Sequence, residues 1–272
     1  MRLLFIGDIV GKPGREIVRR GLRPLIEAHQ IDLVIANVEN AAGGFGITRE
    51  IGESLRDLGI EVMTSGNHIW DKKEALDYIT REPRLIRPAN YPAGTPGYGM
   101  CTVTTSAGDV AVAVINVMGR VFMQPLDNPF SVVLDQIRVA REETRVIFVD
   151  FHAEATSEKI AMGWHLDGQV TAVVGTHTHV QTADARLLPG GTAYITDVGM
   201  TGPHDSIIGV ETGAALSRFV TGLPSRFETA TRDPKLHAVV VTADVATGLA
   251  TDIAPLSLSL HDIEALAARP VS

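Results

Sequence analysis

Cysteine is nearly absent: Cys101 stands alone in 272 residues. One thiol closes no internal disulfide and builds no cysteine-rich metal site, so a reducing, cytoplasmic setting is expected. Aromatic residues make up only 5% of the chain, which argues against a nucleic-acid surface built of stacked rings. No apolar run approaches the ~18 residues that a membrane span needs. The longest candidate, residues 110–117, is interrupted by Asn116. The apolar start at residues 3–7 meets Asp8 too early for a signal peptide. Long basic runs are missing as well. Lys and Arg total 24 against 32 Asp and Glu, a net charge of −8. Such a body is a poor partner for duplex nucleic acid or an anionic membrane. It does not exclude a small anionic substrate, because divalent cations can reverse the field locally.

What is present is an ordinary globular composition, with 45% hydrophobic and 21% charged residues. The length suits one large domain or two small ones. No low-complexity linker or fixed-period repeat divides the chain, so a single domain over 1–272 is expected. Strand-length apolar runs occur at residues 3–7, 32–38, 61–65, 101–105, 109–117, 145–151, 171–175 and 193–196. Helical spacing alternates with them at 15–30, 48–58, 130–143, 157–166 and 206–221. Pro24 falls inside the first helical pattern and predicts a kink or break there. Ala107-Gly108 reads as a hairpin turn, residues 237–245 and 249–258 as a closing hairpin, and 261–269 as a short tail helix. Prolines and glycines crowd residues 83–99 and mark an irregular loop. The pattern predicts an α/β fold with mixed sheets.

Polar groups collect where these strands end. Asp8 follows the first, Glu39-Asn40 the second, and Gly66-Asn67-His68 the third. His152 follows the run at 145–151, and His177 and His179 follow the run at 171–175. The carboxyl rim of an open α/β sheet is where ligands bind. Each element alone has a plainer reading: Asp8 as a helix cap, Glu39-Asn40 as a turn, His152 as a satisfied core histidine. Five strand ends carrying such groups together are hard to ascribe to coincidence. The set offers carboxylate, amide and imidazole donors without thiolate, which suits Mn²⁺, Fe or Zn²⁺ better than Ca²⁺. Seven candidate ligands exceed the needs of one tetrahedral ion and fit two ions sharing a carboxylate, the arrangement that clamps phosphorus for in-line displacement.

The same residues resemble the calcineurin-like metallophosphoesterase superfamily, whose motifs stand here as Gly7-Asp8, Glu39-Asn40, Gly66-Asn67-His68, His152 and His177-Thr178-His179. Longer blocks are similar to the YmdB-type bacterial 2′,3′-cyclic-nucleotide 2′-phosphodiesterases. These blocks begin at Gly7 (GDIVGKPGR), Glu39 (ENAAGGFGIT), Gly66 (GNHIWDKKE), Arg87 (RPANYPAGTPG), Asp150 (DFHAEATSEK), Gly175 (GTHTHVQTAD) and Tyr194 (YITDVGMTGP). The resemblance implies a four-layer α/β/β/α sandwich with two mixed sheets and a binuclear phosphodiesterase acting on 2′,3′-cyclic or 3′,5′-cyclic nucleotides. It implies that Glu39 bridges two divalent transition-metal ions, Fe or Mn foremost, with Zn and Mg as alternatives. Asp8, Asn40 and His179 would complete one site, and Asn67, His152 and His177 the other. A metal-bridging hydroxide would attack phosphorus while His68 acts as general acid and not as a ligand. The chain departs from the broad superfamily where Asp8-Ile9-Val10 replaces Asp-x-His and Glu39 replaces Asp. By this reading Asn40 takes the place of the missing imidazole.

Other features are assigned plainer roles. Gly43, Gly44 and Gly46 lack the context of a phosphate loop and are read as a turn shaping the rim. Lys72 and Lys73 are read as a solvated helix face, and Trp70, Tyr91 and Phe122 as core. His204 is the remaining histidine placed nearest to the pocket. No serine has a nucleophile-elbow context. The rival readings are a phosphomonoesterase or protein phosphatase of the same fold and a metal-binding regulator without activity. The expected partner is a cyclic nucleotide or another small phosphodiester, with homo-oligomer formation left open and the residues that hold the base unassigned.

Overall fold

The computed structural model describes residues 1–105 and 110–268. The first half of the chain runs β1 (Arg2–Ile6), β2 (Asp8–Ile9), α1 (Gly11–His29), β3 (Leu33–Asn37), α2 (Arg49–Asp57), β4 (Val62–Thr64), α3 (Ala75–Arg81), β5 (Met100–Thr104), β6 (Ala111–Met118) and α4 (Pro129–Ala140). The second half runs β7 (Val146–His152), α5 (Thr156–Leu166), β8 (Ala172–Thr176), β9 (Arg186–Leu187), β10 (Ala193–Ile195), β11 (Met200–Pro203), α6 (Thr212–Thr221), β12 (Pro234–Ala243), β13 (Ala250–Ser259) and α7 (Leu260–Ala267).

Two mixed sheets result. One follows the order β2-β11-β12-β1-β3-β4, with β13 paired to β12. The other follows β5-β6-β7-β8-β10-β9. Strands β1, β3 and β4 are parallel, as are β6, β7, β8 and β10, so each sheet gathers several carboxyl ends on one side.

Period-two alternation explains the layering. Leu3, Phe5, Leu33, Ile35 and Val239 of the first sheet meet Val112, Val114, Phe148, Val174 and Ile195 of the second in a core between the sheets. The alternate residues Leu4, Ile6, Val34 and Ala36 face outward and bury Ile17, Leu22 and Leu25 of α1, Leu55 of α2 and Ile263 of α7. On the far side, Ile115, Ile147, Val149 and Phe151 pack against Val133 and Ile137 of α4 and Met162 and Leu166 of α5. The order is therefore α/β/β/α, as the resemblance implied. Phe148 is fully buried at the centre and stacks on Phe5 with ring centroids 5.4 Å apart. Phe148→Ala is expected to cost about 3–5 kcal/mol by denaturant unfolding, the range for an aromatic deleted from a core that cannot collapse around the loss.

Several local expectations change. Helix α1 runs through Pro24 without ending. The proline lacks only the donor to the Arg20 carbonyl, and Arg20 lies on the solvent side while Leu22 and Leu25 bury the other face. The helix predicted over 206–221 starts at Thr212, because Ile208 and Gly209 turn left-handed with φ of 47° and 100°. Lys72 and Lys73 lie in the turn before α3, not on a helix face. Phe122 is 91% exposed and outside the core. The predicted Ala107-Gly108 turn lies outside the described residues, but β5 and β6 pair antiparallel on either side of it. The short elements β2, β9, β11 and α3 carry too few residues for a readable period.

Candidate metal centre

Five strand ends converge on one cluster. Asp8 follows β1, Glu39 and Asn40 follow β3, Asn67 and His68 follow β4, His152 ends β7, and His177 and His179 follow β8. The first three strands belong to one sheet and the last two to the other, so the cluster sits where both carboxyl rims meet. Approach is close. A Cβ on Gly66 would lie 2.2 Å from the His152 ring, so glycine is required there.

His152 Nε2 lies 2.9 Å from Asn67 Oδ1, 3.0 Å from Glu39 Oε1 and 3.1 Å from His177 Nδ1. The other ring nitrogens fix the tautomers. Thr176 Oγ donates to Asp150 Oδ1 at 2.8 Å, so it accepts from His152 Nδ1 at 2.9 Å. His177 Nε2 faces the Glu154 carboxylate at 3.1 Å, and His179 Nδ1 donates to the Ile208 carbonyl at 2.8 Å. In their neutral forms, His152 Nε2, His177 Nδ1 and His179 Nε2 therefore present lone pairs to the cluster. Such outer partners commonly orient metal-ligating histidines.

Glu39, His152 and His177 bring one donor atom each within 4.8 Å of one another. A second group surrounds Asp8, whose Oδ1 lies 3.8 Å from His179 Nε2, while Asn40 Nδ2 lies 3.3 Å from the same nitrogen. An amide turned over would present its oxygen at that point. Asp8 and Glu39 are fully buried, yet Asp8 Oδ1 and Glu39 Oε1 have no hydrogen-bond partner among the described residues. Buried carboxylate oxygens without donors are costly, and a divalent cation satisfies them together with the converging lone pairs. The donor set therefore fits a cation.

The electrostatics agree. Burial alone would lower the His152 pKa, but the carboxylates of Glu39, Asp8 and Asp150 outweigh it and push the value up to about 9. Burial would raise the Glu39 pKa, but His152 and then His68 pull it down to about 2. His177 is held down to about 3 by burial and by His152. The carboxylates that draw a proton to His152 make the same position attractive to a metal cation.

His68 does not join the converging atoms. Its Nδ1 lies 2.7 Å from Asp71 Oδ2, its backbone N–H donates to Glu39 Oε2 at 2.8 Å, and its ring packs edge-on against Phe45. The residue forms part of the wall of a 270 Å³ pocket. Glu39, Asn40, His177 and His179 line the same pocket at its polar end, and Val10, Phe45, Val210 and Phe227 supply apolar wall. Gly44 borders it from a turn in which Gly43, Gly44 and Gly46 all have positive φ. His204 does not reach this pocket and pairs with His237, ring centroids 4.4 Å apart.

A family model for YmdB-like proteins matches residues 4–256. The chain belongs to the YmdB-like family. Among relatives of this YmdB-like chain, the 2′,3′-cyclic-nucleotide 2′-phosphodiesterase of Bacillus subtilis strain 168 is 51% identical over 253 residues, covering 93% of this chain and 95% of the relative. A crystal structure of a hypothetical protein from Thermus thermophilus superposes with a TM-score of 0.88 at 44% identity, covering 95% of this chain and 99% of the other. A phosphatase from Mycoplasma pneumoniae superposes with a TM-score of 0.89 at 34% identity, covering 95% of this chain and 93% of the other. The family and the fold expected from the motif blocks are thus borne out.

All eight residues singled out at the strand ends lie in this one region. Sequence reasoning missed the groups that contact them, Asp71, Glu154 and Thr176, with Asp150 behind Thr176, and the buried pair Lys159 and Asp197 beside Thr176 and Thr178. Each lies inside one of the quoted YmdB-like blocks, which is the signal that was available for them.

Proposed function

We propose that this chain is a binuclear metal-dependent phosphodiesterase acting on cyclic nucleotides, with 2′,3′-cyclic nucleotides as the leading class. The observation that carries the reading is the convergence of Glu39 Oε1, Asn67 Oδ1 and His177 Nδ1 on His152 Nε2, beside the partnerless Asp8 Oδ1. Glu39 would serve both ions. Asp8, Asn40 and His179 would hold one, and Asn67, His152 and His177 the other. Iron or manganese suits this oxygen and imidazole set. When bound, the ions supply Lewis-acid polarisation of the phosphoryl oxygens and lower the pKa of water.

The chain's own residues supply the rest. Asp71 holds His68 by Nδ1, which leaves Nε2 to donate a proton to the departing ribose oxygen. The apolar wall of Val10, Val210 and Phe227 gives the nucleoside a water-excluding surface. No lysine or arginine is among the residues lining this pocket. A monoester dianion would gain from such cations, whereas a diester carries one charge and needs them less. This absence favours a diesterase over the monoesterase of the same fold. The single cysteine, half-buried Cys101, supports a reducing cytoplasmic setting. No helix among the described residues is long and apolar enough to cross a membrane.

The direct test is a substrate panel on metal-loaded protein. Hydrolysis of 2′,3′-cyclic nucleotides is expected to exceed that of nucleoside monophosphates and to vanish on chelation. Preference for the monoesters would overturn the diesterase assignment, and full activity in excess chelator would overturn the metal assignment.

A further inference from the structure

Among the described residues Lys159 is the largest charged side chain that is fully buried, 1% exposed, and it is paired with a fully buried Asp197. Its Nζ donates to Asp197 Oδ2 at 2.6 Å and to the Thr176 carbonyl at 2.7 Å. Asp197 Oδ2 also accepts from the backbone N–H and the hydroxyl of Thr178, at 3.1 and 2.7 Å. Its other oxygen, Oδ1, accepts from the Gly199 N–H at 2.8 Å. Apart from the bond to Gly199, the pair's contacts fall on Thr176 and Thr178, the two residues flanking His177.

That segment needs external support. His177 and His179 have φ of 96° and 65°, in the left-handed region that side chains with a Cβ avoid. Such conformations are unfavourable and persist only when the surroundings over-determine them. A buried ion pair, by contrast, adds little net stability compared with apolar packing of the same volume. Fold stability therefore does not account for the pair, whereas the fixed conformation of residues 176–179 does.

We propose that Lys159 and Asp197 are positioning residues that lock the His177-Thr178-His179 segment in its strained conformation and thereby set metal affinity. The inference rests on the reading of His177 and His179 as ligands. Neither Lys159 nor Asp197 is among the converging donor atoms or the residues lining the pocket. Both act through the backbone on either side of His177, and so on the direction in which the two imidazoles point.

The test is titration of metal-free protein with Mn²⁺, with melting of the metal-free form measured alongside. Lys159→Met/Asp197→Asn removes both charges together and keeps an acceptor for the Thr178 N–H. This variant is expected to melt close to the parent when metal-free, to bind Mn²⁺ about 10–100-fold more weakly, as loss of an outer-shell partner commonly does, and to lose kcat more than KM. Parental Mn²⁺ affinity in the folded double variant would overturn the proposal. If that variant does not fold, Thr178→Val decides, because it removes only the hydroxyl bonded to Asp197. Weaker Mn²⁺ binding then supports the positioning role, and unchanged binding refutes it. Failure of the parent itself to bind Mn²⁺ would overturn the metal reading beneath it, a result distinct from either outcome among the variants.

Discussion

Glu39→Ala is expected to lose both metal ions together and to reduce kcat/KM by about 10³-fold or more. That magnitude follows from the several kcal/mol that metal ions supply to the transition state, at ~1.4 kcal/mol per factor of ten. Glu39 is fully buried, and its Oε1 faces His152 Nε2 from 3.0 Å. Its Oε2 accepts from the His68 N–H at 2.8 Å, which leaves Oε1 to face a cation. Asp8→Ala, at the other end of the cluster, should chiefly empty one position. Elemental analysis of the two variants beside the parent separates the roles. Parental metal content and rate in Glu39→Ala would show that it bridges nothing. The rise in melting temperature that metal gives the parent should also disappear in this variant, because a ligand stabilises only the state that binds it.

His68→Ala is expected to lose about 10²–10⁴-fold on a cyclic nucleotide, the usual worth of a positioned general acid. It should lose far less on bis(p-nitrophenyl) phosphate and keep its metals. The two leaving groups differ in their need for a proton. A ribose alkoxide is a poor leaving group and must be protonated as the bond breaks, whereas a nitrophenolate leaves unaided. The geometry supports the assignment, since Asp71 occupies Nδ1 at 2.7 Å and the ring stands outside the convergence around His152. Equal losses on both substrates with intact metals would instead indicate charge stabilisation in the transition state. Loss of metal from this variant would make His68 a ligand and refute the assignment.

Much of this architecture is written locally in the chain. The apolar runs of β1, β3, β7 and β8 are buried on both faces, so they read as strands without tertiary information. Asp8, Glu39, Asn67, His152 and His177 are legible because each lies at or just past such a run, where a parallel sheet directs side chains toward a common rim. The division into layers also follows from alternation, as in Leu3 and Phe5 facing one core and Leu4 and Ile6 the other. Features decided by distant contacts are not legible. Pro24 is absorbed by a helix whose opposite face is held down by Leu22 and Leu25. The late start of α6 depends on Ile208 and Gly209 turning left-handed. Lys159 and Asp197 are 38 residues apart, and nothing in either local pattern announces a buried pair. The left-handed backbone at His177 and His179 is likewise imposed from outside, since a histidine seldom adopts it unaided.

Two metal ions, which residues from five strand ends would hold, are what the proposed phosphodiesterase reading requires. The most direct test is a titration of chelator-stripped protein with Mn²⁺, following ions bound per chain and hydrolysis of a 2′,3′-cyclic nucleotide in the same samples. Binding is expected to saturate at two ions per chain, with activity returning only as the second position fills. Full activity in the stripped protein, or saturation at a single ion with full activity, would contradict this.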